Sequence, residues 1–94
     1  MQFYNMTEIF VRERLDEIIE KEGGCNCVKC YIDILALACN QLPPRYVNTD
    51  EGELYKRIEV YRRQQKMDVD VEIYKAIKVV RAHPRHKLNP EEDK

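Results

Sequence analysis

Neither sign of charge predominates in this sequence, and no long apolar run occurs in it. Its 16 basic and 17 acidic residues leave a formal net charge of −1, so there is no overall attraction to a nucleic acid or an anionic membrane. A membrane-spanning helix needs about 18 consecutive apolar residues, and the N-terminus lacks the basic region and hydrophobic core of a secretory signal. We therefore expect a soluble, cytoplasmic protein with neither a membrane nor a nucleic acid as partner.

Catalytic signatures are also absent from the sequence. It contains no Ser/His/Asp order, no glycine-rich phosphate loop and no paired-carboxylate motif, and we do not expect an enzyme. Asp33 is the one acid inside an apolar segment, and we interpret it as paired with an arginine or capping another helix. The 94 residues predict one domain, residues 1–94, whose small core would gain from a metal or a partner subunit.

Two shorter helices are predicted in the first half of the chain. Asn5 is a suitable N-cap for the first helix, and Gly23 a suitable left-handed residue at its end. The second segment, Val28 to Cys39, is apolar on all sides, which predicts a helix in the middle of the core. Pro43 and Pro44 stop that helix.

A long C-terminal helix is predicted in the second half, because the sequence has neither glycine nor proline from Glu53 to His83. One apolar stripe keeps its phase throughout and consists of Leu54, Tyr55, Ile58, Tyr61, Val69, Ile73, Ala76, Val79 and Val80. Strict alternation in Met67–Ile73 is instead typical of a strand, so a break within residues 64–73 is the alternative. The predicted fold class is all-α, with two shorter helices and one long, or broken, C-terminal helix.

A second apolar stripe lies on the opposite side of the long helix. It consists of Met67, Val71, Tyr74 and Ile77, and a domain of this size can hardly cover both sides. We therefore expect a homodimer that buries the second stripe. Pro84 should end the helix, and residues from about 87 to 94 should form a disordered tail.

Three cysteines in six residues, Cys25-x-Cys27-x2-Cys30, form the strongest motif. Cys-x2-Cys spacing lets two thiolates from one turn bind a single tetrahedral ion. Because the chain is rich in charge and has no secretory signal, reduced thiolates on a metal are favoured over disulfides. We expect zinc, in a closed structural site that fastens the domain.

The fourth zinc ligand is open between His86, His83 and Cys39. Nine residues separate Cys39 from Cys30; on one helix that is about 13.5 Å, too far for one ion. We therefore interpret Cys39 as a small core residue unless the helix begins well after Cys30. We assign the fourth position to His86, from the same chain or the partner subunit, although both histidines could instead cap the long helix.

Two basic segments are further candidates for binding. The run Arg62 to Lys66 is interpreted as a solvated helix face. Arg45 and Tyr46, beside the double proline, could pair with a phosphate or stack on a base, although we expect Tyr46 to pack in the core.

The order of these motifs resembles the late competence development protein ComFB family over nearly the whole sequence. The resemblance rests on the cysteine turn, on Asp33 in the apolar helix, and on Asn40-Gln41-Leu42-Pro43-Pro44-Arg45-Tyr46-Val47. It implies a small all-helical, zinc-binding homodimer among bacterial competence or motility functions, with no known catalytic activity. Cys39 stands where the family typically carries a plain hydrophobe.

The expected function is therefore that of a non-enzymatic, zinc-binding regulatory or adaptor protein, with a second copy and a protein partner. Some branches of the family resemble receptors for cyclic dinucleotides, although those branches often lack the cysteines. A cyclic-dinucleotide receptor is the alternative, ahead of a zinc-dependent nucleic-acid binder or a thiol redox switch.

Overall fold

Three helices and two short strands make up residues 2–23 and 27–82, which the computed structural model describes. In chain order these are β1 (Gln2–Asn5), α1 (Met6–Glu22), α2 (Val28–Asn40), β2 (Tyr46–Thr49) and α3 (Glu51–Ala82). Two shorter helices followed by one long helix were predicted, and this arrangement is confirmed. The predictions for His83, His86 and the tail from about 87 to 94 concern residues outside the described ranges.

The two strands correct the all-α prediction. β1 and β2 pair antiparallel, with Gln2 opposite Thr49 and Asn5 opposite Tyr46. Each strand has four residues, which is too short for alternation to stand out from the sequence. The expected core position of Tyr46 is also wrong, because its side chain is 56% exposed.

The start of α1 is tied to the segment that follows α2. Asn5 caps α1, since its Oδ1 accepts hydrogen bonds from the backbone N–H of Thr7 at 3.1 Å and of Arg45 at 3.0 Å. The hydroxyl of Thr7 donates to the carbonyl of Pro43 at 2.8 Å. It accepts from the hydroxyl of Tyr61, 2.9 Å away. Local capping and long-range pairing therefore use the same few residues.

The helix α3 runs unbroken for 32 residues, so the strand alternative over Met67–Ile73 is wrong. Asp50 caps it by accepting the N–H of Glu53 at 2.8 Å. Val69 and Ile73 are fully buried, because residues four apart lie on the same helix face.

The core forms where α1 and α2 pack on α3. The buried face of α3 rotates about the helix axis from one part of that helix to the next. At about 100° per residue, this face shifts by roughly 80° between Leu54–Tyr61 and Val69–Val80. A single fixed stripe therefore misplaced Tyr55 and Val79, which are 66% and 52% exposed. It also misplaced Ile77, which is buried in the core cluster.

The second stripe is thereby reduced to three exposed residues. Met67 is 80% exposed, and Val71 and Tyr74 are also exposed. Since the described chain leaves this surface uncovered, it remains available for the homodimer that the sequence predicts.

A salt bridge joins α1 to the middle of α3. Arg14 contacts Asp70 with two parallel hydrogen bonds, Nε to Oδ1 at 2.7 Å and Nη2 to Oδ2 at 2.9 Å. Lys66 adds a third at 3.0 Å, and the Arg14 and Asp70 side chains are only 15% and 18% exposed. Burial by itself would raise the pKa of Asp70, but the hydrogen bonds from Arg14 and Lys66 outweigh it and hold that pKa below its usual value.

We predict that Asp70→Asn lowers the free energy of unfolding at pH 7 by about 1–3 kcal/mol, because Arg14 loses a charged hydrogen-bond partner. A carboxyl group with a lowered pKa stabilises the fold above its unfolded pKa and loses that effect as pH falls through the folded pKa. The difference between variant and wild type should therefore shrink below about pH 4. Urea unfolding at pH 7 and pH 3 measures it. Asp68→Asn, at an exposed position of the same helix, is the control and should leave stability nearly unchanged.

Candidate metal site and surface grooves

Cys27 and Cys30 lie together in the first turn of α2. Cys27 is the N-cap, in extended geometry, and its Sγ accepts the backbone N–H of Cys30 at 3.4 Å. Its carbonyl accepts the N–H of Tyr31 at 3.0 Å. A cysteine thus takes the place of the usual serine or aspartate, and Cys30, three residues on, is buried against the core.

This arrangement suits a zinc ion. Structural zinc sites use deprotonated cysteine ligands, and the N-terminus of a helix, with its unpaired N–H groups, favours a negatively charged ligand set. Cys25 precedes the N-cap by two residues but lies outside the described residues, as do His83 and His86. Among the residues that the structure does describe, no three His, Cys, Asp or Glu side chains come close enough to hold a metal.

The end of α3 contacts the end of α1 in the same chain. Arg81 donates from Nη2 to the carbonyl of Gly23 at 2.7 Å, and the Tyr74 hydroxyl lies 3.3 Å from Glu22 Oε1. His86 follows Arg81 by five residues, and a segment of that length spans at most about 18 Å. A ligand from the same chain therefore stays open beside one from the partner subunit.

Cys39 is separated from the turn by the helix itself. It lies on α2 together with Cys30, about 13.5 Å further along the axis. Its side chain is half-buried and packs against the core, and burial raises the pKa of its thiol. These features favour a core role for Cys39 over a ligand role.

Two features of the surface offer binding sites near the start of the chain. Val28, Lys29, Ile32 and Asp33 line a depression of about 350 Å³ on α2. Val28 and Ile32 are exposed, so the other helices of the same chain do not cover α2 on all sides. On the sheet, the rings of Phe3 and Tyr46 stack with centroids 4.9 Å apart and 2° between their planes, and both are exposed.

A larger groove of about 410 Å³ lies between β2 and the first half of α3. It is lined by Met6, Arg45, Val47, Glu53, Lys56, Arg57, Val60, Tyr61 and Gln64. The sequence had singled out only Arg45 and Tyr46 in this region. Lys56 and Arg57 gave no signal, since charged residues on a helix are usually solvated.

The basic run on α3 is not part of this groove except through Gln64. Arg62 contacts Glu13 on α1 at 2.6 and 2.9 Å, and Lys66 is engaged with Asp70. These cations pair with acids of the same chain. Arg62 is partly buried against α1, whereas Arg63 and Lys66 are exposed, so the predicted solvated face describes only part of the run. No helix in the described part of the chain is long and apolar enough to cross a membrane.

The fold and the cysteine turn together define a small three-helix protein with an accessory two-stranded sheet. Residues 4–84 match the model of the family described as "Late competence development protein ComFB". The chain is 30% identical over 81 residues to the "Competence protein ComFB" of Bacillus subtilis (strain 168), covering 85% of this chain and 83% of that protein.

A solved structure agrees with this match. It is titled "Structural characterization of the late competence protein ComFB from Bacillus subtilis", and it superposes with a TM-score of 0.73 at 30% identity, over 88% of this chain and 94% of the other. The chain therefore belongs to the ComFB family, and the resemblance inferred from its motifs is confirmed.

We predict that Cys39 reacts with iodoacetamide at pH 8 more slowly in the folded protein than in urea, because burial raises its pKa and lowers the thiolate fraction. Mass spectrometry of proteolytic peptides resolves the individual cysteines. Stripping metal with a chelator under mild, non-denaturing conditions should leave the Cys39 rate unchanged. Faster labelling of Cys39 in the chelated but still folded protein would show that it is a ligand.

Proposed function

We propose that this chain is a non-enzymatic, zinc-binding regulatory or adaptor protein related in role to competence protein ComFB. Its zinc would be structural and held by Cys25, Cys27, Cys30 and His86. The observation that carries the proposal is the position of Cys27 and Cys30 in the first turn of α2, where the Cys27 sulfur accepts the backbone N–H of Cys30. Arg81 holds the end of α3 at Gly23, four residues before Cys27. The relatives are named for competence, and this process is the one we propose for the chain.

The expected effect of zinc is to join three helix ends. The ends of α1 and α3 meet at Gly23 and Arg81, and α2 begins with its N-cap Cys27 four residues after Gly23. One hydrogen bond from an exposed arginine would hold these helix ends only weakly, whereas zinc binding in small peptides has a free energy of about 10–16 kcal/mol. Four filled positions leave no place for a substrate water, which supports a structural rather than a hydrolytic role.

A second copy of the chain is part of this proposal. The exposed residues Met67, Val71 and Tyr74 form an apolar strip on α3, and a cytoplasmic homodimer would cover it. A regulatory dimer then needs a separate surface for its protein partner.

The experiment compares Cys27→Ser with Cys39→Ser. Elemental analysis of wild type should find about one zinc per chain. Cys27→Ser should lose the metal and melt more than about 10 °C lower, since 1 kcal/mol corresponds to about 4–8 °C in a domain of this size. Cys39→Ser should keep its zinc. A Cys27→Ser protein with an unchanged melt would contradict the structural role of the metal.

His86→Ala and His83→Ala form a second matched pair for the fourth ligand. We expect His86→Ala to weaken zinc retention against a chelator and His83→Ala to retain the metal. Mixed dimers of His86→Ala with Cys27→Ser chains would separate the two geometries, because only a ligand donated across subunits restores one complete site.

A cyclic-dinucleotide receptor is the second candidate, and the exposed aromatic stack favours it. The free faces of Phe3 and Tyr46 suit base stacking, which contributes about 1–3 kcal/mol per base. Arg45, next to Tyr46, is a cation for a phosphate.

This candidate predicts that cyclic di-GMP or cyclic di-AMP raises the melting temperature. A ligand at 100 times its dissociation constant adds about 2.7 kcal/mol to stability. Tyr46→Ala should reduce the shift, and Tyr55→Ala, an exposed tyrosine without a ring partner in the described residues, should preserve it. If neither nucleotide shifts the melt of the zinc-loaded protein, this candidate is excluded.

A further inference from the structure

We propose that the groove between β2 and the first half of α3 binds an acidic peptide segment of a partner protein, with one apolar side chain as its anchor. The inference rests on the adaptor role proposed above and gives that role a docking surface. It concerns a surface remote in sequence from the cysteine turn.

The floor of the groove is apolar. Met6 and Tyr61 belong to the buried core cluster and form its base, while Val60 is exposed at its side. Its volume of about 410 Å³ lies within the range of about 300–1,000 Å³ that is usual for binding sites. A leucine or phenylalanine side chain of a peptide would fill part of this space.

The rim of the groove is cationic. Arg57 is partly neutralised, because it contacts Glu53 at 2.9 Å and Glu53 also accepts from Thr49 at 2.9 Å. Arg45 and Lys56 have no ion-pair partner within 4 Å in residues 2–23 and 27–82. Glu53 also lines the groove, and the hydrogen bond from Arg57, helped by the nearby charge of Lys56, lowers its pKa. One carboxylate therefore faces Arg57 and Lys56, while Arg45 adds a third positive charge beside the apolar surface.

The backbone of Arg45 is fixed in place, which distinguishes it from an ordinary surface cation. Its N–H donates to the Asn5 side chain at 3.0 Å, and its carbonyl accepts the N–H of Met6 at 2.8 Å. Because β2 begins at the next residue, the arginine lies at a rigid junction. A contact made from a preorganised position loses less entropy on binding.

The positive rim and the apolar floor of the groove together favour an acidic peptide over a nucleic acid as its ligand. Proteins that bind DNA typically make 6–10 phosphate contacts, which requires an extended basic surface. Here three cations surround an apolar floor, one of them is already paired, and the whole chain carries a net charge of −1. Carboxylates at the rim and an apolar anchor between them match the groove.

The test selects peptides from a random 12-residue phage-display library on the zinc-loaded full chain. We expect the selected peptides to be enriched in Asp and Glu around a Leu, Ile or Phe residue. Fluorescence anisotropy of the synthetic peptides should show affinity that falls with NaCl. Arg45→Glu and Lys56→Glu should each weaken binding about tenfold or more. The matched control, Lys78→Glu, changes charge equally on an exposed part of α3 away from the groove and should have little effect.

Peptides without acidic enrichment, or peptides that bind all three variants equally, would overturn the proposal. Binding of a single-stranded oligonucleotide with the same dependence on Arg45 and Lys56, without peptide binding, would overturn it in favour of a nucleic acid. Zinc content and melting temperature are measured for every variant. If no peptide is selected although the chain holds its zinc, only the proposal of a peptide-binding groove is refuted. If peptides bind a chain that holds no zinc, only the proposal of a zinc site is refuted.

Discussion

The packing of α1 and α2 against one turning face of α3 is the interaction on which the rest of this structure depends. The buried residues of α3 meet Phe10 and its neighbours on α1, with the Phe10 and Tyr61 rings edge to face at 5.8 Å between centroids. Apolar area removed from water supplies the main driving force for a fold of this size. Because one 32-residue helix supports both partners, its length also sets the distance between the two ends of the domain.

Different contacts hold the elements together at the two ends of the domain. At one end, Asn5 and Thr7 hold the double-proline segment, and the two short strands pair beside it. At the other end, Arg81 contacts Gly23, four residues before the N-cap Cys27 of α2. The polar pairs Arg14–Asp70 and Arg62–Glu13 lie between them. These half-buried ion pairs fix how α1 sits on α3 more than they add to net stability.

The proposed activities occupy separate parts of this frame. The cysteine turn and the groove lined by Arg45 and Lys56 lie at opposite ends of α3, since Arg81 approaches the first and Lys56 lines the second. The apolar strip of Met67, Val71 and Tyr74 lies between them along the helix. A metal fastener, a second copy and a protein partner can therefore be accommodated together without competing for the same residues.

The sequence by itself determined the features that depend on residues close together in the chain. These features depend on residues fewer than five apart or on helical periodicity. They are the cap at Asn5, the end of α1 at Gly23 with φ of 72°, the uninterrupted α3, and the position of Cys27 and Cys30 in one turn. The family followed from the order of the same motifs.

Tertiary structure decided what depends on residues far apart in the chain. Four-residue strands pair across more than 40 positions, the buried face of α3 turns to follow its partners, and Arg81 meets Gly23 across 58 positions. Lys56 becomes part of a groove only because Arg45 is fixed beside it. Local propensity cannot encode such contacts, since whether they form depends on how the helices pack.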